Sequence, residues 1–184
     1  MERIAVYCGR MKLASLIALA LVALPLNANE SWYTNGVPAS DNEWRKHDGP
    51  FKAQLFLVDN PAEIYERWNL GPKNTVSVVQ LSTISDGKPF ETIIFFAGCE
   101  TETGSCEILG DWKVTDLNGS TLSEVNGLSA YSARGPTIEN QLLISENGIG
   151  LVADSTYEGY KVDVKITDVV GKRSVSFQRS ITVK

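Results

Sequence analysis

Apolar and polar residues alternate through two stretches at the end of the chain. Tyr160, Val162, Val164 and Ile166 fall on one side, with Lys161, Asp163, Lys165 and Thr167 between them. After a turn over 169–173 the alternation resumes, with Val175, Phe177, Ile181 and Val183 set against Ser174, Ser176, Gln178 and Thr182. A period of two gives a strand one face for a core and one for water, which a helix cannot do with the same residues. The two stretches therefore predict an antiparallel hairpin packed on one side only. Arg179 alone breaks the apolar side, which predicts a place near the sheet rim.

Much of the remaining sequence follows the same pattern. Residues 51–58 form a strand candidate with Phe51, Ala53, Leu55 and Leu57 on one face. Asn60-Pro61-Ala62-Glu63 then has the residues of a helix start: a capping amide, a proline for the first turn, and an acid able to reach back. The helix should run through Ile64 and Trp68, end at Gly71-Pro72, and be the only one. From Asn74 onward the pattern is β. Residues 75–84 are rich in branched side chains, and 92–97 (TIIFFA) form an apolar run suited to burial on both faces. Cys106, Ile108, Trp112 and Val114 alternate with polar neighbours, and Leu109-Gly110 marks a bulge. Residues 116–120 form a turn, and Asn147-Gly148 predicts a hairpin joining 141–145 to 149–153. About eight strands at short spacing predict an all-β, antiparallel two-sheet sandwich with one short helix. A chain of 184 residues with 43% apolar and 21% charged content suits one such domain.

The N-terminal 28 residues have a different character. Arg3, Arg10 and Lys12 precede the apolar run 13–24, Pro25 breaks it, and Ala28 offers a small residue for cleavage. This layout predicts a signal peptide over 1–28, with export to the periplasm or medium and no membrane span after cleavage. An uncleaved N-terminal anchor is the competing reading, and Met11 is an alternative start. Residues 29–50 hold Gly36, Pro38, Gly49 and Pro50 without periodicity and read as a loosely ordered arm, leaving 51–184 as the sandwich domain. The formal charge is −5, and loss of the basic leader makes the rest more acidic, which argues against nucleic acid as a partner.

Cys99 and Cys106 remain after cleavage. In an exported domain they favour a disulfide closing a hairpin loop over 100–105. Two free thiols are the alternative, and the spacing is not that of a C-x-x-C redox site.

Two stretches carry a resemblance. Glu158-Gly159-Tyr160-Lys161-Val162-Asp163-Val164, followed by Asp168, resembles the closing hairpin of immunoglobulin-like domains in bacterial exported proteins. The run from Phe95-Phe96-Ala97-Gly98-Cys99 through Cys106 and Asp111-Trp112-Lys113-Val114 to Asn118-Gly119-Ser120 is similar to a group of poorly characterised bacterial periplasmic proteins. Together they span roughly 74–184 and imply an immunoglobulin-like sandwich and an extracytoplasmic compartment. They carry over no functional residue, and cysteines this close in sequence are not the usual inter-sheet pair of antibody domains.

Catalytic motifs are sparse. The one histidine, His47, falls in the arm beside Asp48, and no nucleophile-elbow, zincin or phosphate-loop pattern occurs. Glu100, Glu102 and Glu107 surround the cysteine loop, so an ion or a basic protein are both conceivable partners there, but the loop lacks a calcium-type spacing. No metal or cofactor is expected. Trp32, Tyr33 and Trp44 concentrate aromatic area where periodicity gives no core position, and they are the candidate partner-binding residues. The resulting expectation is a non-catalytic exported module that binds an envelope protein or glycan. A carboxylate-based envelope hydrolase and a structural or assembly subunit are the alternatives.

Overall fold

A computed structural model describes residues 32–34, 37–71, 78–137 and 141–184. The export segment expected over 1–28 lies outside them. The described residues form the expected antiparallel two-sheet sandwich with one short helix. A small hairpin of β1 (Trp32–Thr34) and β2 (Val37–Ala39) precedes it.

The first sheet contains β3 (Arg45–Asp48), β4 (Phe51–Val58), β6 (Pro89–Ala97), β9 (Leu143–Ile144) and β10 (Gly150–Val152). Its order is β10-β6-β4-β3, with β9 also on β6. The second sheet is ordered β5-β12-β11-β7-β8, from β5 (Thr83–Ile84), β7 (Ser105–Asp116), β8 (Thr121–Arg134), β11 (Gly159–Asp168) and β12 (Arg173–Val183). All pairings are antiparallel except β5 with β12. The terminal alternation is a ten-pair ladder from Gly159↔Thr182 to Asp168↔Arg173. Its apolar side joins Phe51, Leu55, Phe96, Ile108 and Trp112 in the core between the sheets.

The helix α1 (Pro61–Asn69) starts as its sequence dictates. The Glu63 amide donates to Asn60 Oδ1 at 3.4 Å, and Asn60 Nδ2 donates to Glu63 Oε2 at 3.0 Å. Its apolar side, Ile64 with Tyr65 and Trp68, packs on the outer face of the first sheet against Val58, Ile93, Phe95 and Ile144. This second core explains why every residue from Thr92 to Ala97 is buried: the sandwich covers one face of β6 and the helix side covers the other.

Four readings of the sequence need correction. Residues 45–48, read as arm, form a sheet strand paired with β4 from Arg45↔Gln54 to Asp48↔Phe51. In 75–84, the part described is a strand only at Thr83–Ile84. The Asn147-Gly148 stretch is not the turn of a hairpin. β9 and β10 both pair with β6 and lie end to end along its edge. The excursion between them has its own bonds, since Ser145 N donates to Ile94 O at 2.8 Å and Asn147 Nδ2 donates to Ser129 O at 2.9 Å. Nor does the cysteine loop join paired strands: it carries the chain from the first sheet at β6 to the second at β7. Gly98, at φ 70°, makes that exit possible, because a Cβ there would run into the Pro50 carbonyl.

The expected bulge is present as register shifts around Leu109 and Gly110 on β7. Gly110 leaves the space that the Trp112 ring fills.

Candidate functional site

Outward-facing positions of the first sheet follow from its registers. On β4, Phe51, Ala53, Leu55 and Leu57 point between the sheets, so Gln54, Phe56 and Val58 point away. Their β6 partners are Phe95, Ile93 and Glu91. These positions support a row of rings across the sheet. Trp44 lies 5.8 Å from Phe56, Phe56 lies 5.6 Å from Phe95, and Phe95 lies 5.3 Å from Trp68 on the helix. Phe95 is buried, while Trp44, Phe56 and Trp68 are half-buried. The row therefore runs from under the helix out to the β3 edge.

Local bonds hold the exposed end of the row in place. The Trp44 amide donates to Asn42 Oδ1 at 3.0 Å, and its carbonyl accepts from the Leu55 amide at 3.0 Å. The Arg45 guanidinium lies 5.1 Å from the Trp44 ring centroid, within cation–π range, and donates through Nη2 to Ser40 O at 2.9 Å. Trp32 reaches the same strand, with Nε1 donating to Lys46 O at 3.3 Å. Trp32 and Trp44 are thus brought to one edge. Tyr33 is on β1 between Trp32 and Thr34, and its side chain lies outside the described residues. Arg45, Phe56 and Phe95 were not among the sequence candidates. Phe56 could have been found, since it occupies the polar face of an otherwise alternating strand.

His47 is paired, but not with its neighbour in sequence. Its Nδ1 is 2.6 Å from Asp41 Oδ1, while Asp48 accepts from the Ser174 amide at 3.1 Å. Both acids therefore help to fix the β3 edge. Among the described residues, no group of three or more His, Cys, Asp or Glu is arranged to hold a metal.

Cys99 and Cys106 form a disulfide, with Cα atoms 6.1 Å apart. Asp168, fully buried, ties this loop to the end of β11: it accepts from the Glu100 amide at 3.0 Å and from the Gly171 amide at 3.2 Å. Asp154 accepts from the Thr156 amide at 2.8 Å, and that bonding lowers its pKa. At the far side of the aromatic row, burial raises the Glu91 carboxyl above its usual range. Burial also raises the Tyr65 phenol, with the Ser145 hydroxyl pulling the other way and the Glu91 charge adding to the rise.

The chain matches no family model and no curated protein. Among solved structures it is similar to a family 123 glycoside hydrolase from Clostridium perfringens, at 11% identity and a TM-score of 0.39. The match covers 72% of this chain and 27% of that enzyme, so the chain spans well under half of the enzyme's length. A likeness this distant carries no reading of function. No helix among the described residues is long and apolar enough to cross a membrane.

Proposed function

We propose that the chain is an extracytoplasmic, non-catalytic binding module that holds a protein of the cell envelope at its Trp32–Trp44 edge. The observation that carries this reading is the Trp44–Arg45 pair at the start of β3. One aromatic ring is anchored on Phe56, one guanidinium lies beside it, and backbone bonds fix both on a sheet edge. Trp and Arg are the residues most enriched at the energetic centres of protein interfaces, and anchors held in place before binding lose little entropy. Because the guanidinium lies over the Trp44 ring, this arrangement suits a protein contact better than flat stacking of a sugar. Export is supported by the Cys99–Cys106 disulfide and by the sequence layout of residues 1–28.

A photo-crosslinking amino acid placed at position 32 tests the reading in cells that make the protein. A protein adduct from position 32, absent when the probe is at Lys165 on the other sheet, is the expected result. Export is checked by recovering that adduct from the envelope fraction. Equal adducts from both positions would remove the edge from the site. Capture of a polysaccharide, with no protein adduct, would replace a protein partner with a glycan.

A further inference from the structure

The first sheet has a second edge, at β10, on the opposite side from Trp44. Beside it lies a cleft of about 280 Å³ whose walls include Asp59, Pro61, Pro89, Glu91, Leu151 and Val152. Three features of this cleft point to one kind of occupant.

The first is the strand's free side. Thr92 N donates to Ile149 O at 2.9 Å and Ala153 N donates to Lys88 O at 2.8 Å, so Ile149, Leu151 and Ala153 turn their backbone groups toward β6. Antiparallel pairing alternates, so the amides and carbonyls of Gly150 and Val152 face away. They have no partner among the described residues. Such an edge is a template for another strand.

The second is apolar exposure. Val152 is 62% exposed and stands beside Pro61 and Pro89, which gives an alkyl chain something to lie on.

The third is charge. Asp59 follows β4 directly and Glu91 pairs with Val58, so both acids come to the same end of the cleft. Neither is within ion-pair distance of a Lys or Arg among the described residues. Lys and Arg lay an apolar stem on such a surface and present the charged head at its end.

We infer that this cleft docks an extended segment of a partner protein that carries Lys or Arg at alternate positions, adding a strand to β10 with one basic head between Asp59 and Glu91. Main-chain bonds to Gly150 and Val152 supply register, and the acids select the basic side chain. A second copy of this chain does not suit the cleft, because its own edge strand, Gly150–Val152, carries no Lys or Arg to answer the acids. The surface is separate from the Trp44 edge and does not depend on that reading.

Fluorescence anisotropy with labelled peptides of alternating Val-Arg and alternating Val-Glu sequence tests the inference. The basic peptide should bind and the acidic one should not, and added salt should weaken the complex. The double variant Asp59→Asn/Glu91→Gln should bind the basic peptide about tenfold more weakly. Val152→Pro should weaken it as well, since it removes an outward amide while leaving the β6 ladder intact. If that proline variant does not fold, the near-isosteric charge variant decides alone. Equal binding of both peptides, no binding of the basic peptide, or binding unaffected by the charge variant would each overturn the inference. Loss of binding in Trp44→Ala with no loss in the cleft variants would assign the peptide to the other edge.

Discussion

The Arg179 guanidinium donates to the Glu43 carboxylate at 2.6 Å, although the arginine is 9% exposed and the glutamate 72%. A buried cation at the rim of the core is thus answered by an acid that stands almost wholly in water. The pair fastens β12 of one sheet to the turn before β3 of the other. Removing one partner of a buried pair leaves an uncompensated charge, whereas replacing the cation with an apolar residue removes the cost altogether. Glu43→Ala should therefore lower stability by about 1–2 kcal/mol, less than for a fully buried pair because water reaches the acid's side. Arg179→Leu should be neutral or stabilising, since Val175, Phe177 and Ile181 already make that face of β12 apolar. Urea titration of the two variants checks the contrast, and equal losses would contradict it.

Trp44→Ala should cost about 1–2 kcal/mol, because its ring packs on Phe56 while remaining half-buried. Trp112→Ala, at a position 1% exposed, should cost about 3–5 kcal/mol. Only the Trp44 change should abolish the position-32 crosslink at temperatures where both variants are folded. Thermal melts and crosslink yield, measured on the same preparations, separate a structural loss from a binding loss.

Reduction of Cys99–Cys106 should destabilise the chain by about 2.5 kcal/mol, the chain-entropy value for an eight-residue ring. Denaturant titration with and without reductant measures the difference. Alkylation before reduction should label neither cysteine.

Glu91 gives a pH signature of definite sign. Burial raises its carboxyl in the folded state above the ordinary 4.5, so folding favours the protonated acid. The stability this supplies is fully present below the ordinary value and is lost as pH rises through the folded-state value. Glu91→Gln should then melt higher than the parent at neutral pH, with the gain disappearing in acid below the ordinary carboxylate range. A gain that grew with acidity would reverse the assignment. The same variant should bind the basic peptide more weakly, so stability and binding move in opposite directions.

The parts of this molecule legible in the sequence are those where a local signal and the tertiary environment agree. Tyr160 to Ile166 alternate because one side of β11 faces the core, and Asn60 to Glu63 cap the helix through bonds only three residues apart. The errors arise where distant partners decide. Asn147-Gly148 carries a hairpin signal, but β6 is long enough to take both flanking strands along one edge, and the bonds from Ser145 to Ile94 and from Asn147 to Ser129 hold the detour. The cysteine loop looks like a hairpin because nothing in its spacing records that β6 and β7 belong to different sheets. For the candidate site, Trp32 and Trp44 were visible as aromatics without a periodic place. Their connection through Phe56 and Phe95 to Trp68 depends on the helix folding back over the sheet, which no local pattern encodes.

The parallel pairing of β5 with β12 has a consequence for the order in which the protein can be made. Thr83 and Ile84 find their neighbours in Thr182 and Val183, and the Lys184 amide then donates to Ile84 O at 2.9 Å. A ribosome delivers β4 and β6 early, and the β7–β8 hairpin can form from neighbouring chain. But β5 must wait unpaired until β12 emerges, and β11 has only one of its two neighbours until then. During that interval the apolar side of the second sheet has no complete surface, which is the state in which chains associate wrongly or are held by chaperones. The nascent protein should thus be most vulnerable before β12 emerges, and a ribosome stalled a few codons short of β12 should hold a chain still open to protease.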